Sequence, residues 1–222
     1  DFITQADEKE KGYDVEAALD GGVPVFFQFK RSYVLTTKRA KEIRDGHFAE
    51  PPLFRMNLRK KFDYCQHSAL RDLETKGNHV LYVTSQIAES VELTDAFLGR
   101  TVIDSATALF SPNDITLPNV TEQHHVTFEA DADHGYVFSR EAKRFERSLR
   151  TVSQLVEQRL AGDRMDAQAN RQKLQKFAKD LLRVRPSARP IIERFEDPVE
   201  QASVMALLVL DAQMTVFNPA VA

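Results

Sequence analysis

The turn signal Asp20-Gly21-Gly22 separates two segments of strand character, and the hairpin it implies limits the fold more than any other local feature. Before the turn, Tyr13-Asp14-Val15-Glu16-Ala17-Ala18-Leu19 alternates apolar and polar residues. After it, Val23 to Ser32 is rich in β-branched and aromatic side chains. Side chains alternate along a strand, so Asp14 and Glu16 share one side of the first strand. In the second strand, Phe27 and Phe29 are expected on the core side and Gln28 and Lys30 together on the other. A lysine in so apolar a strand needs a carboxylate or a ligand to compensate its charge. A loop formed by Asp20 to Gly22 sets Asp14 opposite Gln28, whereas a loop one residue shorter or longer shifts the register by one. The hairpin thus places a carboxylate near a lysine.

Around the hairpin the chain reads as an α/β protein. Thr4 to Lys11 is polar and helix-compatible, with Gly12 at its stop. Tyr33 to Phe48 has the charges of a short exposed helix, and Glu50-Pro51-Pro52 ends it before a strand at Leu53 to Arg59. Phe62 to Lys76 is expected to be helical, with Phe62, Gln66, Leu70 and Leu73 on one stripe and Gly77-Asn78 as its cap. His79 to Thr84 follows as a buried strand. The order is helix, strand, strand, strand, helix, strand, with a helical insertion between the second and third strands. Farther on, Val91 to Leu98 reads as helix, Ala106 to Phe110 as extended, and His124 to Glu129 and Gly135 to Ser139 as antiparallel strands joined by a turn. From Arg140 onward the pattern is helical: about Arg140 to Leu160, Asp163 to Val184 and Pro198 to Thr215, with a break at Arg185 to Pro190. The expected organisation is an α/β core over residues 1–138 and a mainly α-helical C-terminal region over residues 139–222.

Charge follows the same division. Of 222 residues, 30 are Lys or Arg and 33 Asp or Glu, a net charge of −3. Residues 1–138 hold 15 basic and 22 acidic side chains; residues 139–222 hold 15 and 11. Arg140, Lys143, Arg144, Arg147 and Arg150, at spacings of three and four, are expected along one side of a helix, with Arg183, Arg185 and Arg189 as a second cluster. Glu141 and Glu146 offer the competing reading of intrahelical pairing. One cysteine, Cys65, rules out a disulfide framework and is compatible with a reducing cytoplasm. No apolar run approaches the roughly 20 residues of a membrane helix, so no membrane partner is expected. The chain begins at Asp1. Val204 to Leu210 is apolar all round, which implies either burial under other helices or an interface with a second copy or a protein partner.

The helical acidic segment, Gly12-Tyr13-Asp14, and Gln28-Phe29-Lys30 resemble the PD-(D/E)xK (restriction-endonuclease-like) nuclease superfamily, in the form in which Gln replaces the second acidic residue. The element order of about residues 4–84 resembles that family's common core. The resemblance implies hydrolysis of DNA or RNA phosphodiester bonds with Mg²⁺ or Mn²⁺, in a setting such as bacterial antiviral defence. Asp14 is then the main metal ligand, with Gln28, the Phe29 carbonyl and Glu8 completing the protein's share; Glu10 competes with Glu8. Hard divalent cations take such oxygen ligands. Lys30 orients or activates the attacking water and neutralises developing charge. The departure at Gln28 costs a charge, and even outer-sphere losses lower metal affinity about 10–100-fold. A catalytically degenerate nuclease fold that binds nucleic acid or a protein partner is therefore the alternative. Gln66 matches a polar helix position that faces the site in several branches of the superfamily, and His67 could contact phosphate. The basic residues Arg144, Arg147, Arg183 and Arg185 are the candidates for holding the nucleic-acid backbone.

Other chemistries find less support. His124 and His125 are adjacent on a strand and face opposite ways, so with Glu129 and His134 they make a poor zinc site. Cys65 and His67 lie too close on one helix for Cys-His catalysis, and no phosphate-binding P-loop motif is present.

Overall fold

Burial is continuous from Val23 to Gln28 in the strand Val23–Lys30 (β1), which emerges only at Phe29. A strand covered on both faces belongs inside a sheet, and around β1 the chain forms a mixed α/β structure with two β-sheets. The computed structural model describes residues 21–58, 60–119, 121–160, 162–163 and 165–217. They divide into two compact units, one of residues 27–155 and one combining residues 21–26 with 156–217.

In the first unit, β1 is followed by β2 (Ser32–Leu35), α1 (Lys41–Arg44), β3 (Leu53–Asn57), α2 (Lys61–Thr75), β4 (His79–Ser85), α3 (Ser90–Leu98), α4 (Val102–Ser105) and β5 (Thr107–Phe110). Three further strands, β6 (His125–Phe128), β7 (His134–Phe138) and β8 (Ala142–Glu146), precede α5 (Val152–Leu155). The antiparallel sheet β2-β3-β6-β7-β8 has Leu53, Phe54, Met56, Val126 and Phe128 in its core. The expected third strand, β3, pairs with β2 and β6. Helix α2 packs on β4 through a stripe that includes Leu70 and Leu73. It stops as expected: Gly77 adopts φ +83° and its N–H donates to the Glu74 carbonyl at 2.9 Å, a conformation glycine reaches without steric cost.

In the second unit, Asp166 caps α6 (Ala167–Val184) by accepting from the Ala169 N–H at 2.7 Å. The stripe Asn170, Leu174, Phe177, Ala178 and Leu181 is buried, and Phe177 stacks on Phe26 with ring centroids 4.0 Å apart. Asn170 Nδ2 donates to the Gly22 carbonyl at 2.8 Å. Beyond lie α7 (Arg189–Ile192), α8 (Pro198–Met205), which packs on α6, and β9 (Gln213–Phe217). In the first unit, β4 and β5 pair antiparallel, with Tyr82 opposite Phe110.

Several sequence-based expectations need correction. The region 33–48 is not one helix: β2 occupies its start and α1 is confined to Lys41–Arg44. The helix expected to end at Thr215 gives way to a π-helical turn at Ala206–Leu210, then Asp211 at φ +54°, then β9. Within 204–210, Met205, Ala206 and Leu210 are buried while Leu207 is 61% exposed, so the segment has an inside and an outside.

The largest correction concerns residues 140–150. Ala142–Glu146 is a strand paired with β7, Gly135 opposite Phe145 and Tyr136 opposite Arg144. The Phe145 ring lies over Gly135, where a Cβ would come within 2.9 Å of it. This tertiary pairing outweighs the helical propensity of the basic run. The five basic residues consequently share no helix face. Arg144 stays exposed and pairs with Glu146 at 3.0 Å. Arg147 turns inward: it is 7% exposed, donates from Nη1 to the Ala132 carbonyl at 2.7 Å and from Nη2 to the Leu109 carbonyl at 3.2 Å, and stacks over Phe110. Burial lowers its pKa to about 10, which leaves it charged at neutral pH. Arg147 therefore ties loops to β5 and does not offer its guanidinium to a polyanion. Arg147→Ala should cost about 3 kcal/mol, through orphaned carbonyls and lost packing, whereas Arg144→Ala should stay within about 0.5 kcal/mol. Urea denaturation followed by far-ultraviolet circular dichroism compares them; equal, small losses would contradict the structural role of Arg147.

Candidate functional site

Residues two apart on a strand share a face, and β1 uses this to align Gln28 with Lys30. Gln28 is fully buried, while Lys30 is half-buried. The expected placement of Phe29 in the core is not observed: its side chain is 59% exposed, because the end of β1 rather than one of its faces reaches solvent. Helix α2 supplies the next member. Lys30 Nζ donates to Gln66 Oε1 at 3.3 Å, so the two residues singled out on separate elements meet. Beneath them, β4 contributes Tyr82, with Lys30 Nζ 5.8 Å from its ring centroid.

His67 stands behind Tyr82 and is 4% exposed. Its ring lies 13° from parallel to that of Tyr82. Nε2 is 3.0 Å from the Ile115 carbonyl and Nδ1 is 2.9 Å from the Tyr82 hydroxyl. A carbonyl only accepts, so Nε2 carries the proton and Nδ1 accepts from Tyr82. Burial lowers the pKa of His67 to about 4, with the positive charges of Arg71 and Lys30 adding to it against the pull of the Ile115 carbonyl. Burial likewise pushes Tyr82 up. Both ring nitrogens of His67 are engaged inside the protein, so in this arrangement the ring braces Tyr82 and presents neither nitrogen to a phosphate. Tyr82 itself escaped the sequence reading, since an aromatic residue in a buried strand carries no signal of what its hydroxyl touches.

The remaining candidates are spread out. Asp14, Glu8 and Glu10 lie outside the described residues. Arg183 is exposed and paired with Asp180 at 3.0 Å, and Arg185 Nη1 donates to the Leu208 carbonyl. His124 and His125 diverge as expected: His124 Nε2 is 2.7 Å from the Asn119 carbonyl, and His125 Nε2 is 3.4 Å from Glu42 Oε1. Among the described residues no group of three or more His, Cys, Asp or Glu side chains could hold a metal ion. Among the same residues no helix is long and apolar enough to cross a membrane.

Comparison with protein-family models, curated proteins and solved structures matches this chain to none of them. The site is therefore read from its own geometry.

A second ionic group, not anticipated from sequence, lies in the β2-β3-β6-β7-β8 sheet. The buried Glu42 accepts from Arg55 Nε at 3.1 Å and from the Thr127 hydroxyl at 3.4 Å. Burial pushes its pKa up, but hydrogen bonds from its own backbone and from Arg55 outweigh that and hold it below the usual value. Its partners come from β3 and β6, so only tertiary structure reveals the group.

The neutral His67 has a measurable consequence. The unfolded chain binds a proton at this residue below about pH 6.5, whereas the folded chain does so only near pH 4. Stability contributed by the neutral ring is present above pH 6.5 and is lost as the pH falls toward 4, by about 3 kcal/mol in all. Wild type should lose roughly that much more than His67→Phe between pH 7 and pH 4 in urea titrations, other groups cancelling. Parallel losses in the two proteins would show that His67 titrates normally.

Proposed function

We propose that this protein is a metal-dependent nuclease of the PD-(D/E)xK kind, acting on DNA or RNA in a role such as defence against foreign nucleic acid. The observation that supports it is the meeting of Lys30 with Gln66, whose Nζ and Oε1 lie 3.3 Å apart, at the end of a buried strand that also carries the fully buried Gln28 two residues earlier. A chain that needed only a core there would have been served by apolar residues.

The donors fit a hard cation in part. The Gln28 amide oxygen and the Phe29 carbonyl are oxygen ligands of the right chemistry for Mg²⁺ or Mn²⁺, and Asp14 and Glu8 are the carboxylates that the sequence resemblance assigns. Such an ion, when bound, supplies neutralisation of charge on the scissile phosphate. Lys30 does the rest that this chain's described residues can do. Its ammonium, steadied by Gln66 and the Tyr82 face, can hold a water or a non-bridging phosphate oxygen and offset charge as it develops. Because His67 is neutral, its ring adds no positive charge beside Lys30.

The charge missing at Gln28 favours a second reading, a nuclease-like scaffold that binds nucleic acid or a protein partner without cutting it. Purified protein incubated with DNA and RNA in Mg²⁺, Mn²⁺ or EDTA distinguishes the two. Cleavage should require the metal and fall by roughly 10²-fold or more in Lys30→Ala, and likewise in Asp14→Ala. Cleavage that persists in both variants would overturn the site; binding without cleavage by the wild type would establish the second reading.

A further inference from the structure

Helix α6 carries five basic side chains, Arg171, Lys173, Lys176, Lys179 and Arg183, against one acidic, Asp180. At about 100° per residue, Gln172, Lys176, Lys179 and Arg183 fall in one sector roughly 60° wide. That sector lies opposite the buried stripe of Leu174, Phe177 and Leu181, and all four of its residues are exposed. Arg171 lies off the row and is bonded to Asp197. Among the described residues, Lys176 and Lys179 have no acidic partner, and Asp180 neutralises Arg183 alone. Asp180 stands at the edge of the row, four residues from Lys176 and three from Arg183; its ion pair goes to Arg183, which leaves Lys176 and Lys179 as the uncompensated charges of the row.

Lys176 to Arg183 spans about 10 Å of helix axis at 1.5 Å per residue. Over that length one strand of a duplex presents about three phosphates at 3.4 Å each. The amide of Gln172 extends the row by a turn with a donor suited to a phosphate oxygen. We infer that the exposed row Gln172, Lys176, Lys179 and Arg183 of α6 is a binding strip for the phosphodiester backbone of a nucleic acid. This rests on the reading of the protein as one that acts on nucleic acid, and adds where the polymer is held. The strip contains no aromatic side chain, so it offers no platform on which a base can stack.

The test uses the whole chain in EDTA, so that binding is measured without cleavage, with fluorescence anisotropy of a labelled duplex DNA and a labelled single-stranded RNA over a salt series. Lys176→Ala/Lys179→Ala should weaken binding and reduce the slope of log K against log salt by about 1.8 for duplex and about 1.4 for single strand. Lys176→Arg/Lys179→Arg should retain the wild-type slope. Lys38→Ala/Arg39→Ala, which removes the same net charge from exposed positions outside α6, should leave the slope unchanged. Alanine favours helix at exposed positions, and circular dichroism checks that the fold is kept. An unchanged slope in the lysine-to-alanine pair, no binding by the wild type, or equal retention on vesicles containing an anionic lipid would overturn the strip. A protein that cuts normally yet keeps its slope in that pair would overturn the strip alone. One that binds through the strip and cuts nothing would overturn the nuclease reading alone.

Discussion

Gln28 and Lys30 stand on one face of a strand that is otherwise apolar, and the rest of the first unit is arranged around the cost of having them there. Removing such groups from water without partners costs several kcal/mol. For Lys30 the structure answers with neighbours drawn from two other elements: Gln66 from α2 and the Tyr82 ring from β4. Tyr82 in turn is held through its hydroxyl by His67, and His67 by the Ile115 carbonyl. The chain of contacts fixes α2 against β4, since Gln66 and His67 are consecutive on the helix. One turn of α2 therefore serves both Lys30 and the core.

Local signals recovered part of this arrangement. The strand character of residues 23–30, the helix 61–75 with its glycine stop, and the pairing of β6 with β7 follow from short-range pattern: alternation, apolar stripes and turn residues. That Gln66 faces Lys30 was an expectation taken from the family resemblance, and the local pattern contributed only that Gln66 is a polar residue on an apolar stripe. What was illegible depended on partners distant in sequence. Arg140 to Arg150 has helical spacing, yet Gly135 on the preceding strand leaves room for Phe145, and the pairing converts the run to β8. Arg147 reads as one more surface cation, and only the carbonyls of Ala132 and Leu109 make it a core residue. Glu42 resembles any helix-surface glutamate until Arg55 and Thr127 are placed beside it.

The basic excess of the C-terminal part likewise resolves into unlike components. Arg171 is matched to Asp197, and Arg185 to the Leu208 carbonyl. Among the described residues, the exposed, unmatched charge that remains on α6 is concentrated at Lys176 and Lys179 on the side away from the core. Net charge alone could not make this distinction, because paired and unpaired cations count equally in it.

The placement of those charges along α6 sets the kind of grip they can exert. Asp166 occupies the N-terminal cap and its carboxylate already takes a free N–H there, so the electropositive pole of the helix is committed to the chain itself. Lys179 and Arg183 lie toward the opposite pole, where exposed carbonyls repel an anion and favour cations. A phosphate near that end is attracted by flexible side-chain ammonium and guanidinium groups and opposed by the backbone. On the proposed reading, such a contact would lack a rigid cradle, would let a polymer shift along it in small steps, and would release as ionic strength rises. The helix would act as a rail more than as a clamp.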